Sequence, residues 1–159
     1  MTATTIASII EQSCVAKGKA EFIADENLHL TGEELWQCIH SVAGNLINRG
    51  LSKGDVLAFY CGSSVSQAVT FFACLVIGII PCCLHVRETP ERNRKNIDYI
   101  KAKKIIADPG LLADATALMT EENVLLLAAE FIAPAVEELN LPDLNPDDPA
   151  LILISSGTT

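Results

Sequence analysis

Apolar residues recur along this chain at two spacings, helical and strand-like, and each change of spacing marks an element boundary. Residues 3–16 place Ile6, Ile9 and Ile10 on one side of a helix, with Gly18 as its stop. Glu21 to Thr31 follows with the pattern of a short hairpin around Asp25-Glu26-Asn27. Thr31-Gly32-Glu33-Glu34 then fits a capping box, in which the threonine hydroxyl and the glutamate carboxylate each take an orphan N–H of the first turn. Leu35, Ile39, Val42 and Leu46 continue at helical spacing, Trp36, Ala43 and Ile47 widen the stripe, and Gly50 is placed to end it.

Val56 to Leu84 carries no charged residue, a length that could cross a membrane. Gly62-Ser63-Ser64, Ser66-Gln67 and Pro81 punctuate that run, so it reads instead as strand, helix and strand. The strands are Asp55–Tyr60 and Ile79–Leu84, and the helix runs from a cap at Ser63 or Ser64 to about Ile77. Thr89 as N-cap and Pro90 at the first helical position open another helix. A strand at Lys104–Ala107, a helix at Leu111–Met119 and a strand at Val124–Leu127 follow. Residues 139–149 hold three prolines and three aspartates and read as an internal linker, after which Ala150–Ile154 is predicted as a last strand. Strands alternating with helices predict an α/β fold: a largely parallel β-sheet with helices on both faces, within one domain over residues 1–159.

Composition narrows the classes. Half the residues are apolar and only 5% aromatic, the palette of buried β-branched strands. The net charge of −9 argues against a nucleic-acid partner, which needs a basic surface. Residues 105–159 hold ten acidic residues and no basic one. The six cysteines form no C-x-x-C pair, and Cys82 and Cys83, adjacent in a strand, point to opposite faces and cannot share one metal. They read as reduced, buried thiols, and the N-terminus lacks the basic region of a secretory signal, so an intracellular protein is expected, its organelle open.

Three other features read as structural. Gly62-Ser63-Ser64 lacks the spacing of a nucleophile elbow and reads as a helix cap. His29, His40 and His85 have no second ligand at metal spacing. The seven basic residues from Arg87 to Lys104, interleaved with Glu91 and Asp98, read as a solvated helix face.

The chemistry-bearing stretch is Ser155-Ser156-Gly157-Thr158-Thr159, which follows directly on the last predicted strand. Successive backbone N–H groups in such a turn form an anion-binding nest, glycine lets a phosphate approach closely, and four hydroxyls add donors without bulk. The pattern is neither a Walker A loop nor a dinucleotide fingerprint.

Asp147-Asp148-Pro149-Ala150-Leu151-Ile152-Leu153-Ile154, continued by that run, closely resembles the lead-in and first half of the ATP-phosphate motif of the adenylate-forming (AMP-binding) superfamily. That superfamily includes acyl-CoA synthetases, coumarate-CoA ligases, beetle luciferases and peptide-synthetase adenylation domains. The Ser-Ser-Gly-Thr-Thr form looks more like the acyl-CoA and coumarate-CoA ligases. Leu30–Leu35 with Leu51–Val56 resembles the family's opening block, and Phe72–Pro81 its second; Thr89-Pro90-Glu91 and Ile105–Asp108 also fall in order. The resemblance covers about residues 20 to 159.

The resemblance implies the incomplete N-terminal part of a ligase's large domain. It implies a carboxylic acid substrate, fatty or aryl, activated by ATP with Mg2+ and passed as its acyl group to coenzyme A. By position, Ser155, Ser156, Gly157, Thr158 and Thr159 inherit the grip on the β- and γ-phosphates. The family's loop lysine and its acyl, adenine and ribose sites would lie downstream, so no catalytic residue is transferred, and the isolated chain is expected to be inactive. A non-catalytic α/β partner-binding module is the alternative that the same residues admit.

Overall fold

The computed structural model describes residues 4–133 and 139–155. It opens with α1 (Ile6–Lys17), which starts at Ile6 because Thr5 caps it. The Thr5 hydroxyl accepts from the Ser8 N–H at 3.2 Å and Ser8 Oγ accepts from the Thr5 N–H at 3.1 Å. β1 (Glu21–Ala24) and β2 (His29–Thr31) form the antiparallel hairpin, and α2 (Gly32–Asn48) starts from the expected box. Glu34 N–H donates to Thr31 Oγ1 at 3.2 Å, and Thr31 N–H to Glu34 Oε2 at 2.9 Å. Such a cap contributes about 1 kcal/mol.

The uncharged run resolves into β3 (Val56–Tyr60), α3 (Val65–Ile77) and β4 (Ile80–Cys83). Among the described residues no helix is long and apolar enough to cross a membrane. α4 (Pro90–Ile100), β5 (Lys104–Ala107), α5 (Leu112–Leu118), β6 (Val124–Leu126) and the single-turn α6 (Ala129–Ile132) complete the order. α5 is one residue shorter at each end than expected: Pro109–Leu111 forms a 3-10 turn before it, and Met119 is already extended after it.

The four strands pair in the order β4-β3-β5-β6, all parallel. β3 is central, with Ala58 opposite Cys82 on one side and Ile105 on the other. Its side chains alternate between two cores. Leu57 and Phe59, with Ile106 and Leu125, pack under α1, α2 and α3. Ala58 and Tyr60, with Cys82, Ile105 and Ala107, pack under Ile97 and Ile100 of α4 and Ala115 and Leu118 of α5. Phe59, fully buried, meets Phe71 of α3 edge-on with ring centroids 5.9 Å apart. Burying a side chain of that size contributes about 1.5–3 kcal/mol. The fold is therefore a parallel sheet with helices on both faces, as the alternation of elements predicts.

One element differs from expectation. Ala150–Ile154 is not a strand: it makes a single parallel bridge, Ile152 with Cys82, in which the Ile152 N–H donates to the Pro81 carbonyl at 3.0 Å. The reason lies in β4. Ile80 and Leu84 direct their N–H groups into β3, at the Asp55 and Phe59 carbonyls, so Pro81 lies in the outward-facing row and has no N–H to give. That removes one bond of the ladder, the one toward residue 150, and Leu153, on the face away from the core, is 84% exposed.

Two tight points tie the layers together. A Cβ at Gly32 would collide with the Cys14 carbonyl and lie 2.7 Å from Lys17 Cβ, because α2 begins against the end of α1. Asp25 uses both carboxylate oxygens. Oδ1 accepts from Asn27 and Leu28 at 2.8 and 2.9 Å, closing the hairpin turn, and Oδ2 accepts from Val65 at 2.7 Å, at the start of α3.

Replacing Gly32 with alanine is expected to destabilise the chain by about 3 kcal/mol, the upper end for overpacking, because the obstacle is backbone rather than a movable side chain; urea unfolding monitored by circular dichroism measures this. The Val65 and then the Asn27 N–H hold the Asp25 carboxyl below its ordinary range. A depressed folded pKa means stability that is present above the unfolded value, about 3.9, and lost as pH falls through the folded one. Thermal melts of wild type and Asp25→Asn should accordingly differ at pH 6, and the difference should shrink as pH falls below the unfolded carboxylate value.

Candidate phosphate-binding site

The direction of the chain at Ile152 decides where the Ser/Gly/Thr run begins. Because the bridge to Cys82 is parallel, residues 150–155 travel the same way as β4. Ser155, three residues past Ile152, therefore lies toward the sheet's carboxyl edge. Ser155 is exposed there; Ser156, Gly157, Thr158 and Thr159 lie outside the described residues. The turn after β4 borders this edge and is firmly held. Asn93, fully buried, donates through Nδ2 to the His85 carbonyl at 3.1 Å, and His85 Nδ1 accepts from the Arg87 N–H at 3.1 Å.

Ser155 presents to solvent a short hydroxyl of the kind that suits a phosphate oxygen. The acidic residues upstream do not suit magnesium in the same way. Asp148 lines a small cleft of about 60 Å3 with Gly78, Ile79 and Ala150, at the amino end of β4 and so on the opposite side of the sheet from Ser155. It is also engaged: its Oδ2 lies 2.7 Å from Lys53 Nζ and accepts from the Asn145 N–H at 2.7 Å. The Lys53 ammonium first, and then the Asn145 N–H, hold the Asp148 carboxyl below its ordinary range. Among the described residues no group of three or more His, Cys, Asp or Glu is disposed to hold a metal.

Other positions with anion-binding potential are already filled by the protein. At the start of α3, Ser64 Oγ accepts from Gln67 at 3.1 Å, Asp25 takes the Val65 N–H, and Asp108 Oδ2 accepts from Gly62 at 2.7 Å. A phosphate arriving at this helix end would face two carboxylates, so the Gly62-Ser63-Ser64 turn is a cap. Five of the seven residues of the basic run are likewise engaged within the protein. Lys95 pairs with Glu91, Lys103 with Asp55, Arg92 with Glu88, Arg94 bonds the Ala117 carbonyl, and Lys104 bonds Asn123. The thiols are not poised as nucleophiles, since burial pushes Cys38 and Cys82 up to about 11 and raises Cys61, Cys74 and Cys83 as well.

Sequence patterning singled out Ser155 and its successors but not Lys53, Asp25 or Asp108. Asp25 carries a local turn signal that hides its second, distant bond. Lys53 and Asp108 fall within stretches that resemble the family, but their bonds carry no local signal, because the partners lie far away in the chain, 90 residues in the case of Lys53 and the Asp143 carbonyl.

Comparison with known proteins places these features in a family. The family model described as AMP-binding enzyme matches residues 10–159. Nonribosomal peptide synthetase 8 of Aspergillus fumigatus is 27% identical over 159 residues, 98% of this chain and 2% of that protein. Probable CoA ligase CCL5 of Humulus lupulus is 27% identical over 161 residues, covering 89% of this chain and 29% of the ligase. This chain thus spans only a small part of either relative. Among solved structures, the N-terminal subdomain of Klebsiella oxytoca NpsA superposes with a TM-score of 0.83 at 21% identity, over 99% of this chain and 40% of that one. The N-terminal domain of FACL13 from Mycobacterium tuberculosis does so with a TM-score of 0.84 at 17% identity, over 98% and 42%. These structural likenesses speak for the fold, and the family model speaks for descent: the chain belongs to the AMP-binding enzyme family.

Proposed function

We propose that the protein to which this chain contributes activates a carboxylic acid as its acyl-adenylate and then transfers the acyl group to a thiol. The observation that carries the reading is the exposed Ser155 at the sheet's carboxyl edge, opening a run of hydroxyl residues around Gly157. Bound ATP supplies the electrophilic α-phosphorus and the pyrophosphate leaving group. Ser155, Ser156, Thr158 and Thr159 would donate O–H groups, and the backbone at Gly157 an N–H, to oxygens of the β- and γ-phosphates. Donors fixed in advance hold the leaving group in line and offset the charge that grows on it. Magnesium would be carried on the phosphate oxygens, since Asp148 is committed to Lys53 and faces the other edge.

The acceptor has two readings. Coenzyme A is supported by the Ser-Ser-Gly-Thr-Thr form of the run and by the likeness to the hop CoA ligase. A carrier domain bearing the same pantetheine thiol is favoured by the relatives named as peptide synthetases, such as nonribosomal peptide synthetase 8 of Aspergillus fumigatus. The acid itself, fatty, aryl or amino, is selected by residues outside this chain. The segment 139–149 acts as the connection into the phosphate loop at 155–159, within one partial domain.

The protein encoded by the complete reading frame should catalyse acid-dependent ATP–pyrophosphate exchange, and Thr158→Val should lower its rate about 10²-fold, the usual loss for one oxyanion-type donor. Exchange that is absent with every acid of a broad panel would sink the reading in favour of a non-catalytic module. Supplying coenzyme A or a phosphopantetheinylated carrier domain, and following acyl transfer by mass spectrometry, separates the two acceptors.

The 159 residues alone, with no cation after Lys104, should give no saturable heat with millimolar magnesium–ATP by calorimetry.

A further inference from the structure

The segment that leads into Ser155 has a register problem. Ala150-Leu151-Ile152-Leu153-Ile154 is aliphatic throughout, so sliding it along β4 by one residue would replace Ile152 with another residue just as apolar. Burial alone discriminates poorly between such registers. Only Ile152 is packed against the core beneath α4 and α5, while Leu151 and Ile154 are about 40% exposed, as the values of 41% and 38% show. A single bridge beside Pro81 supplies no ladder to lock the choice. A polar device upstream is in a position to do so.

Lys53 sits in the turn between α2 and β3, and that turn is rigid. Asp55 Oδ2 accepts from the Ser52 N–H and from Lys103 Nζ, each at 2.7 Å, and the Gly54 N–H bonds the Gly78 carbonyl at 2.8 Å. The stem of Lys53 is equally confined. Gly78 has φ +71, and a Cβ there would come within 2.9 Å of Lys53 Cγ and 2.8 Å of Leu144 Cδ2. From this fixed base Lys53 Nζ reaches Asp148 Oδ2 at 2.7 Å and the Asp143 carbonyl at 3.1 Å. Asp147, next door, is exposed, and its N–H caps Asn145 Oδ1 at 3.0 Å instead. Only Pro149, Ala150 and Leu151 separate Asp148 from the bridged Ile152.

We propose that Lys53 is a positioning residue that sets the register of residues 150–155 on β4, by selecting Asp148 over Asp147 as its partner. A slip of one residue would move Ser155 by about 3.3 Å, roughly the length of a hydrogen bond. The register claim stands on this chain's geometry alone. Its consequence for ATP rests on the reading under Proposed function.

The test uses amide hydrogen exchange of the 15N-labelled 159-residue chain. In Lys53→Met the Ile152 amide should exchange at least about tenfold faster, the equivalent of 1.4 kcal/mol, while the Leu84 amide, bonded to Phe59, keeps its protection. Lys53→Arg should restore Ile152. Asp148→Asn, which keeps a side-chain acceptor for Asn145, should reproduce the loss if Lys53→Met is globally unfolded. Unchanged Ile152 exchange in both variants, with Leu84 protected, overturns the proposal, as does loss of protection at Ile152 and Leu84 together in both. In the protein from the complete reading frame, Lys53→Met should raise KM for ATP about tenfold with kcat within twofold, and Lys53→Arg should return KM. An unchanged KM overturns the link to ATP. If the wild-type protein shows no exchange activity at all, the activity reading falls and the amide measurement alone decides the register.

Discussion

The structure depends on one strand being buried on both faces. β3 has neighbours on each side, and its residues Leu57 to Phe59 are completely shielded from solvent. Such a strand cannot afford a polar side chain on either face, which accounts for the aliphatic and aromatic run at residues 56–60. It also forces helices onto both sides of the sheet. α2 and α3 with α1 cover Leu57 and Phe59, while α4 and α5 cover Ala58 and Tyr60. The small Ala58 and Ala107 let the second helical layer approach, and the large Phe59 fills the first.

The polar clasps follow from that layering. Each joins elements that the cores bring close but do not orient. Asp25 ties the β1–β2 turn to the start of α3, Asp108 ties the exit of β5 to the exit of β3, and Lys53 ties the α2–β3 turn to the loop before Ile152. Cations from the first half of the chain reach into the acidic second half in this way. The acidic stretch after Ile105, which has no cation of its own, receives Lys53 from the first half; Arg94 and Lys104 bond carbonyls within it, and Arg49 lies 5.1 Å over the Phe131 ring. Exposed ion pairs contribute little to stability one by one. Their use is to choose one arrangement among several that apolar packing would accept.

Function in such a sheet is placed at the carboxyl edge, where strands end and backbone N–H groups become available. Two such exits behave differently in this chain. The crevice between β3 and β5, the usual ligand position in a doubly wound sheet, is closed by the protein's own carboxylates at Gly62 and Val65. The edge beside β4 is where Ser155 emerges, exposed, carrying the hydroxyl-rich run that relatedness to AMP-binding enzymes makes interpretable. Family membership reaches as far as adenylate chemistry.

The local rules of the chain were legible without any structure. Thr31 with Glu34, Ser64, and Thr89 with Pro90 announce three helix starts through capping chemistry that involves only near neighbours. The alternation of strand and helix announces a parallel sheet covered on both faces, whereas the Ser155–Thr159 run suggests a phosphate site only through its resemblance to a family motif, since small polar residues at that spacing also make ordinary turns. What needed the tertiary structure was everything set by a distant partner: the strand order, the second bond of Asp25, the grip of Lys53 on Asp148. The aliphatic run 150–154 shows the boundary most clearly, since its composition demands a strand. Whether it becomes one depends on the partners its neighbour offers; beside Pro81, which withholds one N–H, a single bridge to Cys82 and the Lys53–Asp148 clasp hold it instead.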